Sequence, residues 1–405
     1  MIFIYRSLLI MLGPFYFFTA LFSKKTRDYL TKRPSHFELD TNNNKTLWVH
    51  ASSGEFEHAK YLIKELKKNQ PLKKIVVTYS SPSYVYAIEK DGNIDAYLPL
   101  PFDAKGAVSS LIKKINPELV LFARTDVWPE LAHQLKNKKI PRLVFARVEN
   151  GKNNFFKSLY YSMTLLKTSH ISFVSERDKG RFISTVGKKA GGMKLTVDGD
   201  PRIDEVFDKI ETRDYRSLNS ETDTTVILGS VWSEDLKVIS KPLNEALDKG
   251  VITKVIVAPH EPTEGHIGEI KHAFEGRASS LYSEDQNFKS TVTIVDKVGL
   301  LFDLYSEASV AFVGGSFKGK VHSVLEPLAK GLSVLTGPKI ENNSEAQTYS
   351  KKPYEFVKVC KDADQFLVKL KKALREDQFE IQESIKMQKG SSSKIEEQIG
   401  LLVKN

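Results

Sequence analysis

The sequence predicts two doubly wound α/β domains, each a parallel sheet with helices on both faces. Three observations carry this reading. Short apolar runs alternate with amphipathic segments along most of the chain, the pattern of strands joined through crossover helices. A polar passage, Glu211 to Thr224, interrupts the alternation once, and the alternation then restarts. At 405 residues the chain exceeds the roughly 100–200 expected of one domain, and no self-similar period of about 20–50 residues points to a solenoid.

The elements follow in order. From Met1 to Phe22 the only charge is Arg6, and the stretch from Ser7 to Ser23 is apolar or weakly polar, with Phe15, Tyr16, Phe17 and Phe18 in its middle. Lys24, Lys25 and Arg27 follow at once. As a helix, about 17 such residues reach roughly 25 Å, slightly short of a hydrocarbon core, and Gly13-Pro14 should kink them. Three readings compete. A cleaved signal peptide lacks a small-x-small site before the lysines. An ordinary buried first helix is the second. The third, which we adopt as the expectation, is a membrane anchor over 1–23, spanning or interfacial, with the basic cluster on anionic lipid headgroups and the body on the cytoplasmic side.

Strands are expected at Thr46 to His50, Lys74 to Thr78, Leu119 to Phe122, Arg142 to Phe145 and His170 to Val174. A helix from Glu57 to Lys68 places Ala59, Leu62, Ile63 and Leu66 on one face. This makes a first domain over 24–210 and a linker over 211–224. The second domain, 225–385, has strands at Thr225 to Leu228, Lys254 to Val257, Thr291 to Val295, Val310 to Val313 and Ser333 to Leu335. A helix follows Asp362, and 386–405 reads as a polar C-terminal tail. A cleft between the domains is expected to hold ligands at the carboxyl ends of the strands.

Composition narrows the chemistry. Hydrophobic residues at 41% and aromatic residues at 10% support full cores and exclude disorder. The single cysteine, Cys360, excludes an intrachain disulfide and a cysteine zinc cage. No His/Cys cluster stands out, so no metal and no bound cofactor is expected. The charge of +10 suits an acidic partner, and with no nucleic-acid module recognisable, a lipid surface is preferred.

Two segments stand out for chemistry. In His50-Ala-Ser-Ser53-Gly54-Glu55 a strand ends and a helix begins. Gly54 would permit a tight turn, and Glu55 either serves as a general base or complements the helix dipole. Gly314-Gly315-Ser316-Phe317-Lys318-Gly319 follows an apolar strand and precedes His322 and Glu326. Such a run is either a plain turn or a close approach to phosphate, with a carboxylate nearby for ribose hydroxyls. Polar residues recur at other strand ends: Arg202, Ser230, His260 and Asn342.

These segments, in this order, resemble the 3-deoxy-D-manno-octulosonic acid (Kdo) transferases of lipopolysaccharide biosynthesis, which have the GT-B fold. The likeness rests on Ser52-Ser-Gly-Glu55, Arg124-Thr-Asp126-Val-Trp128-Pro129, Ala146-Arg147, Gly199-Asp-Pro-Arg-Ile-Asp204, Gly229-Ser-Val-Trp-Ser-Glu-Asp235, Ala258-Pro-His-Glu261, Asp296-Lys-Val-Gly299, Gly314-Gly-Ser316, His322 to Glu326 and Gly337-Pro338. The resemblance implies a metal-independent, inverting enzyme with CMP-Kdo as donor and lipid A precursor as acceptor. It implies Glu55 as catalytic base and Arg202, Ser230, His260, Gly315, Ser316, Glu326 and Asn342 as donor contacts. Ser53, Gly54 and Asp126 are then acceptor-side candidates. The sequence departs from the family where Arg124 replaces the first glutamate of a Glu-Thr-Glu segment.

Overall fold

A computed structural model of the chain describes residues 1–19, 21–31, 33–41, 45–148, 155–213 and 223–404. Most of the expected linker, 214–222, lies outside the described residues. The chain forms two compact units, Met1–Glu205 together with Lys389–Asn405, and Val206–Gln388.

The first unit contains a seven-stranded parallel sheet: β1 (Thr46–His50), β2 (Ile75–Tyr79), β3 (Ala96–Pro99), β4 (Pro117–Ala123), β5 (Arg142–Ala146), β6 (His170–Phe173) and β7 (Lys194–Val197), in the order β3-β2-β1-β4-β5-β6-β7. Alternating side chains feed two cores. Trp48, Val76, Val120, Phe122 and Val144 pack on one face. Leu47, Val49, Ile75, Val77, Leu119 and Leu121 pack on the other. The order reverses between β1 and β4, the point at which sheets of this kind bind ligands beyond the carboxyl ends of their strands.

The second unit repeats the plan. Its strands are β8 (Thr225–Val231), β9 (Lys254–Pro259), β10 (Ser279–Leu281), β11 (Val292–Ile294), β12 (Val310–Val313), β13 (Ser333–Thr336) and β14 (Val357–Val359), ordered β10-β11-β9-β8-β12-β13-β14. The reversal here lies between β8 and β12.

Two expectations need correction. The residues read as a polar tail return to the first unit: the helix Ser391–Lys404 buries Ile395 and Ile399 in the core that also holds the helix Phe56–Asn69. The carboxylate of Asp204 secures its start, accepting from the amides of Gly390 (2.6 Å) and Ser392 (2.7 Å). The N-terminal anchor, in its spanning form, also has no counterpart: no described helix is long and apolar enough to cross a membrane. The helix Ile2–Thr19 is instead fastened along one side to the first unit. Tyr5 donates to Asp103 at 2.8 Å, and the Arg6 fork donates to both carboxylate oxygens of Glu130 at 2.8 Å. Phe3, Ile4, Leu8, Ile10, Met11, Leu12, Phe15 and Phe18 remain exposed along it.

Asp103 is buried and also accepts from the amides of Glu130 (2.8 Å) and Leu131 (3.1 Å), capping the helix Pro129–Asn137. Burial pushes its carboxyl up to about 6, against the pull of those amides and of Tyr5. A raised folded-state pKa means that its contribution to stability is full below the ordinary value and is lost as pH rises through about 6. Asp103→Asn, which carries no charge, is therefore expected to be more stable relative to wild type at pH 7 than at pH 4. Thermal melts of both proteins across that window check the sign.

Candidate active site

In the first unit, the chain leaves β1 at His50 and turns through Ser52, Ser53 and Gly54 to Glu55, which stands at the N-cap of the helix Phe56–Asn69. One oxygen of the half-buried Glu55 carboxylate accepts from the Ser53 amide at 2.9 Å, which holds the side chain back over its own turn. The Ser53 hydroxyl pairs with that of Ser83 at 2.9 Å. Gly54 is not required for its conformation: its backbone is not left-handed, and a Cβ there would meet Tyr84 at an ordinary 3.6 Å.

Beneath the turn lies a buried polar chain. The Trp48 indole donates to Thr78 Oγ1 at 2.8 Å, and Thr78 Oγ1 lies 2.9 Å from His50 Nδ1. His50 Nε2 faces the Ser52 hydroxyl at 3.3 Å and Asp126 Oδ2 at 3.6 Å. The neighbouring strand, β4, ends at Ala123, and the next residue, Arg124, takes a φ of 65° in the turn that leads to Asp126. Glu55, Ser53, Gly54 and Asp126 thus all belong to the β1 and β4 ends.

Arg202 also belongs to the first unit. Its guanidinium is engaged on the buried Asp200, with Nη2 at 2.7 Å, and Arg147 Nη2 approaches the same carboxylate at 2.5 Å. Burial alone would raise Asp200; Arg202 and Arg147 outweigh it and hold the carboxyl well below its usual range. His58, with Nδ1 3.9 Å from Asp200, is pushed down to about 3 by burial and by Arg202, so it is neutral at physiological pH.

In the second unit the strand β8 bulges at Ser230, which takes a φ of 54° between residues paired to β9. The Gly-rich run follows β12. A Cβ on Gly314 would sit 2.5 Å from the Ser230 carbonyl, and one on Gly315, at φ 93°, would overlap the Lys320 carbonyl. Gly314 is required because the β8 bulge lies directly against it, and Gly315 because its loop folds back on it at a positive φ.

Asp235, fully buried at the start of the helix Ser233–Asp248, binds the two segments together. It accepts from the amides of Gly315 (2.8 Å), Trp232 (3.0 Å) and Phe317 (3.3 Å). Burial raises its carboxyl, and these amides oppose the rise. Its signal in the sequence was an acid three residues into a helix, the spacing of a capping box.

Two expected donor contacts are used inside the fold. The Ser316 hydroxyl is fully buried and accepts from the Gly337 amide at 2.6 Å, so it shapes the loop instead of lining its surface. Asn342 spends both ends of its amide on Val321, accepting from its N–H at 3.1 Å and donating to its carbonyl at 2.9 Å. His260 is exposed and stacks on two rings, Trp232 at 4.4 Å and His322 at 4.5 Å between centroids. The Trp232 indole donates to His322 Nε2 at 3.2 Å, which leaves Nδ1 to carry the ring proton; burial, then His260, push His322 down to about 4. Lys318 Nζ sits 3.3 Å from the centre of the Trp232 ring. Glu326, half-buried in the short helix Leu325–Ala329, faces Tyr305, whose phenol is raised by burial and then by this carboxylate. No cluster able to hold a metal ion occurs among the described residues.

Two doubly wound units of this topology, each with polar residues at its point of strand reversal, define the GT-B class of glycosyltransferase fold. A solved UDP-GlcNAc 2-epimerase from Neisseria meningitidis shares the fold, with a TM-score of 0.59, 14% identity and coverage of 89% of this chain and 100% of that one. Sequence carries the assignment further. Residues 27–204 match the family described as 3-deoxy-D-manno-octulosonic-acid transferase (kdotransferase). The Kdo transferase of Haemophilus influenzae is 27% identical over 359 residues, covering 83% of this chain and 82% of that protein. A bifunctional glycosyltransferase/methyltransferase of Fusobacterium nucleatum is 24% identical, covering 79% of this chain; the chain spans about half of its length, 51%. The resemblance to the Kdo transferases is thereby shown, and it runs through most of the chain.

Proposed function

We propose that the chain transfers Kdo from CMP-Kdo to a lipid A precursor, with inversion and without a metal. The observation that carries the reading is the likeness to Kdo transferases over most of the chain, with Glu55 at the strand reversal of the first sheet. Glu55 takes the proton of an acceptor hydroxyl, whose oxygen attacks the anomeric carbon of Kdo while the bond to the CMP phosphate breaks. Ser53 and Asp126 stand beside Glu55 on the acceptor side. The donor nucleotide sits on the second unit, at the Ser230 bulge and the Gly315 loop, with His260 exposed beside them and Glu326 accepting from ribose hydroxyls. Arg202 adds positive charge for the substrates' anions. The helix Ile2–Thr19 lies in the interface of an inner membrane with its exposed apolar side chains in the lipid, and Lys24 and Arg27 meet anionic headgroups on the cytoplasmic side. The test is to incubate the purified chain with CMP-Kdo and lipid A precursor and to weigh the lipid by mass spectrometry. Absence of any Kdo-bearing product would end this reading.

Glu326→Ala is expected to weaken CMP binding by about 1–3 kcal/mol, the worth of hydrogen bonds to a partly buried charge. Titration calorimetry reads it, and unchanged affinity would remove Glu326 from the donor site.

A further inference from the structure

We propose that His50 is a positioning residue of the acceptor side: fixed by Thr78 as the tautomer with its proton on Nε2, it aims that proton at Asp126 and at Ser52 in the turn that carries Glu55. The inference rests on the proposed transferase reading only in taking Asp126 to face an acceptor.

His50 is fully buried at the last position of β1, in register with Thr78 of β2 on one side and Phe122 of β4 on the other. Strand alternation puts Trp48, two residues earlier, on the same face. The His50 ring meets the Phe122 ring edge-on, with centroids 6.1 Å apart. An apolar side chain would fill this place without needing partners, yet His50 engages both of its ring nitrogens.

The neighbouring donors fix where the ring proton sits. An indole N–H can only donate, so Thr78 Oγ1 accepts from Trp48 Nε1 at 2.8 Å. The Thr78 hydroxyl has one proton of its own, and among the described residues its one other partner is His50 Nδ1 at 2.9 Å. Thr78 is fully buried, so a proton on Nδ1 would leave the hydroxyl proton without an acceptor, which buried polar groups avoid. Thr78 therefore donates to a bare Nδ1, and the ring proton sits on Nε2. On that side Ser52 Oγ, at 3.3 Å, gives its own proton to Ser80 Oγ at 3.2 Å and is left to accept. Asp126 Oδ2, at 3.6 Å, is the other acceptor. That separation is an electrostatic attraction, longer than a hydrogen bond, and contacts of this kind are often long in a free enzyme and shorten in the substrate complex. One buried N–H thus joins the turn after β1 to the turn after β4, and it gives Asp126 a fixed point on which to orient.

Nitrogen NMR of the full chain, labelled in its histidines, reads the tautomer directly, with His50→Gln identifying the resonances. The wild type is expected to show Nε2 protonated and Nδ1 bare. Asp126→Ala is expected to move the Nε2 resonance and leave that of Nδ1 in place; this position is partly exposed, so the variant keeps the test open if no His50 variant folds. Kinetics add a second readout. A Gln amide nitrogen reaches the place of Nε2, whereas an Asn amide nitrogen reaches only that of Nδ1. His50→Gln should therefore keep kcat for Kdo transfer within about threefold, and His50→Asn should lower it at least about tenfold, with KM for CMP-Kdo unchanged in both. A side chain that only fills the core would show no such preference for Gln. A proton on Nδ1, an Nε2 resonance indifferent to Asp126→Ala, or equal rates in the two His50 variants overturns the inference. Absence of transfer by the wild type would instead count against the transferase reading, and the two resonance measurements would still decide the role of His50.

Discussion

Glu55→Gln is expected to lower the rate of Kdo transfer at least about 100-fold, since a positioned base contributes about 10²–10⁴. The substitution keeps the size of the side chain and an oxygen that can accept from the Ser53 amide, the contact that holds Glu55 over its turn. It removes only the ability to take a proton at neutral pH. CMP affinity should remain within about twofold, because the nucleotide is proposed to be held by residues of the second unit and Glu55 belongs to the first. Steady-state rates with both substrates, beside a CMP titration, separate the two effects. Turnover near that of the wild type would remove Glu55 from its role and leave it as a complement to the helix dipole.

Asp235→Ala is expected to have the largest effect on stability. The carboxylate is fully buried and accepts from three amides in two segments. Its loss leaves those donors without their acceptor, at a cost of about 3–5 kcal/mol. At roughly 2–4 °C per kcal/mol for a unit of this size, the melting temperature should fall by about 10 °C. The Gly315 amide and the β8 bulge are then no longer tied together, so CMP affinity should fall at least about tenfold if the donor binds there. Asp235→Asn keeps one oxygen and should lose less of both. Differential scanning calorimetry with a CMP titration tests this, and a variant that melts and binds like the wild type would show that the glycines alone hold the loop.

The residues that sequence reading placed correctly share one physical property. Ten strands were legible, and all are short segments rich in apolar residues in the sheet interiors, such as Thr46–His50, every residue of which is buried. The four that were not legible, β3, β7, β10 and β14, are the four edge strands. Each is three or four residues long, and β7 (Lys194–Val197) and β10 (Ser279–Leu281) have no fully buried residue, so neither carries the apolar run that betrays a buried strand. The C-terminal helix escaped for a related reason: Ile395 and Ile399 are a stripe too sparse to declare a core until the helix Phe56–Asn69 offers a surface.

The candidate site divides in the same way. Local signals placed Glu55 and Gly315 at strand-to-helix turns, because turn chemistry and strand periodicity are written within a few neighbouring residues. Ser316 and Asn342 stood in the sequence as candidate donor contacts, yet their partners, Gly337 and Val321, are 21 residues away along the chain and adjacent only in the fold. The pairing of Arg147 with Asp200 spans 53 residues, and that of Asp235 with Gly315 spans 80. The sequence by itself determined the class of fold, the family likeness and the turns where chemistry could sit. Only the tertiary structure decided which polar side chains face those turns and which are consumed in holding them, because a hydrogen bond depends on distance in space and leaves no periodic trace along the chain.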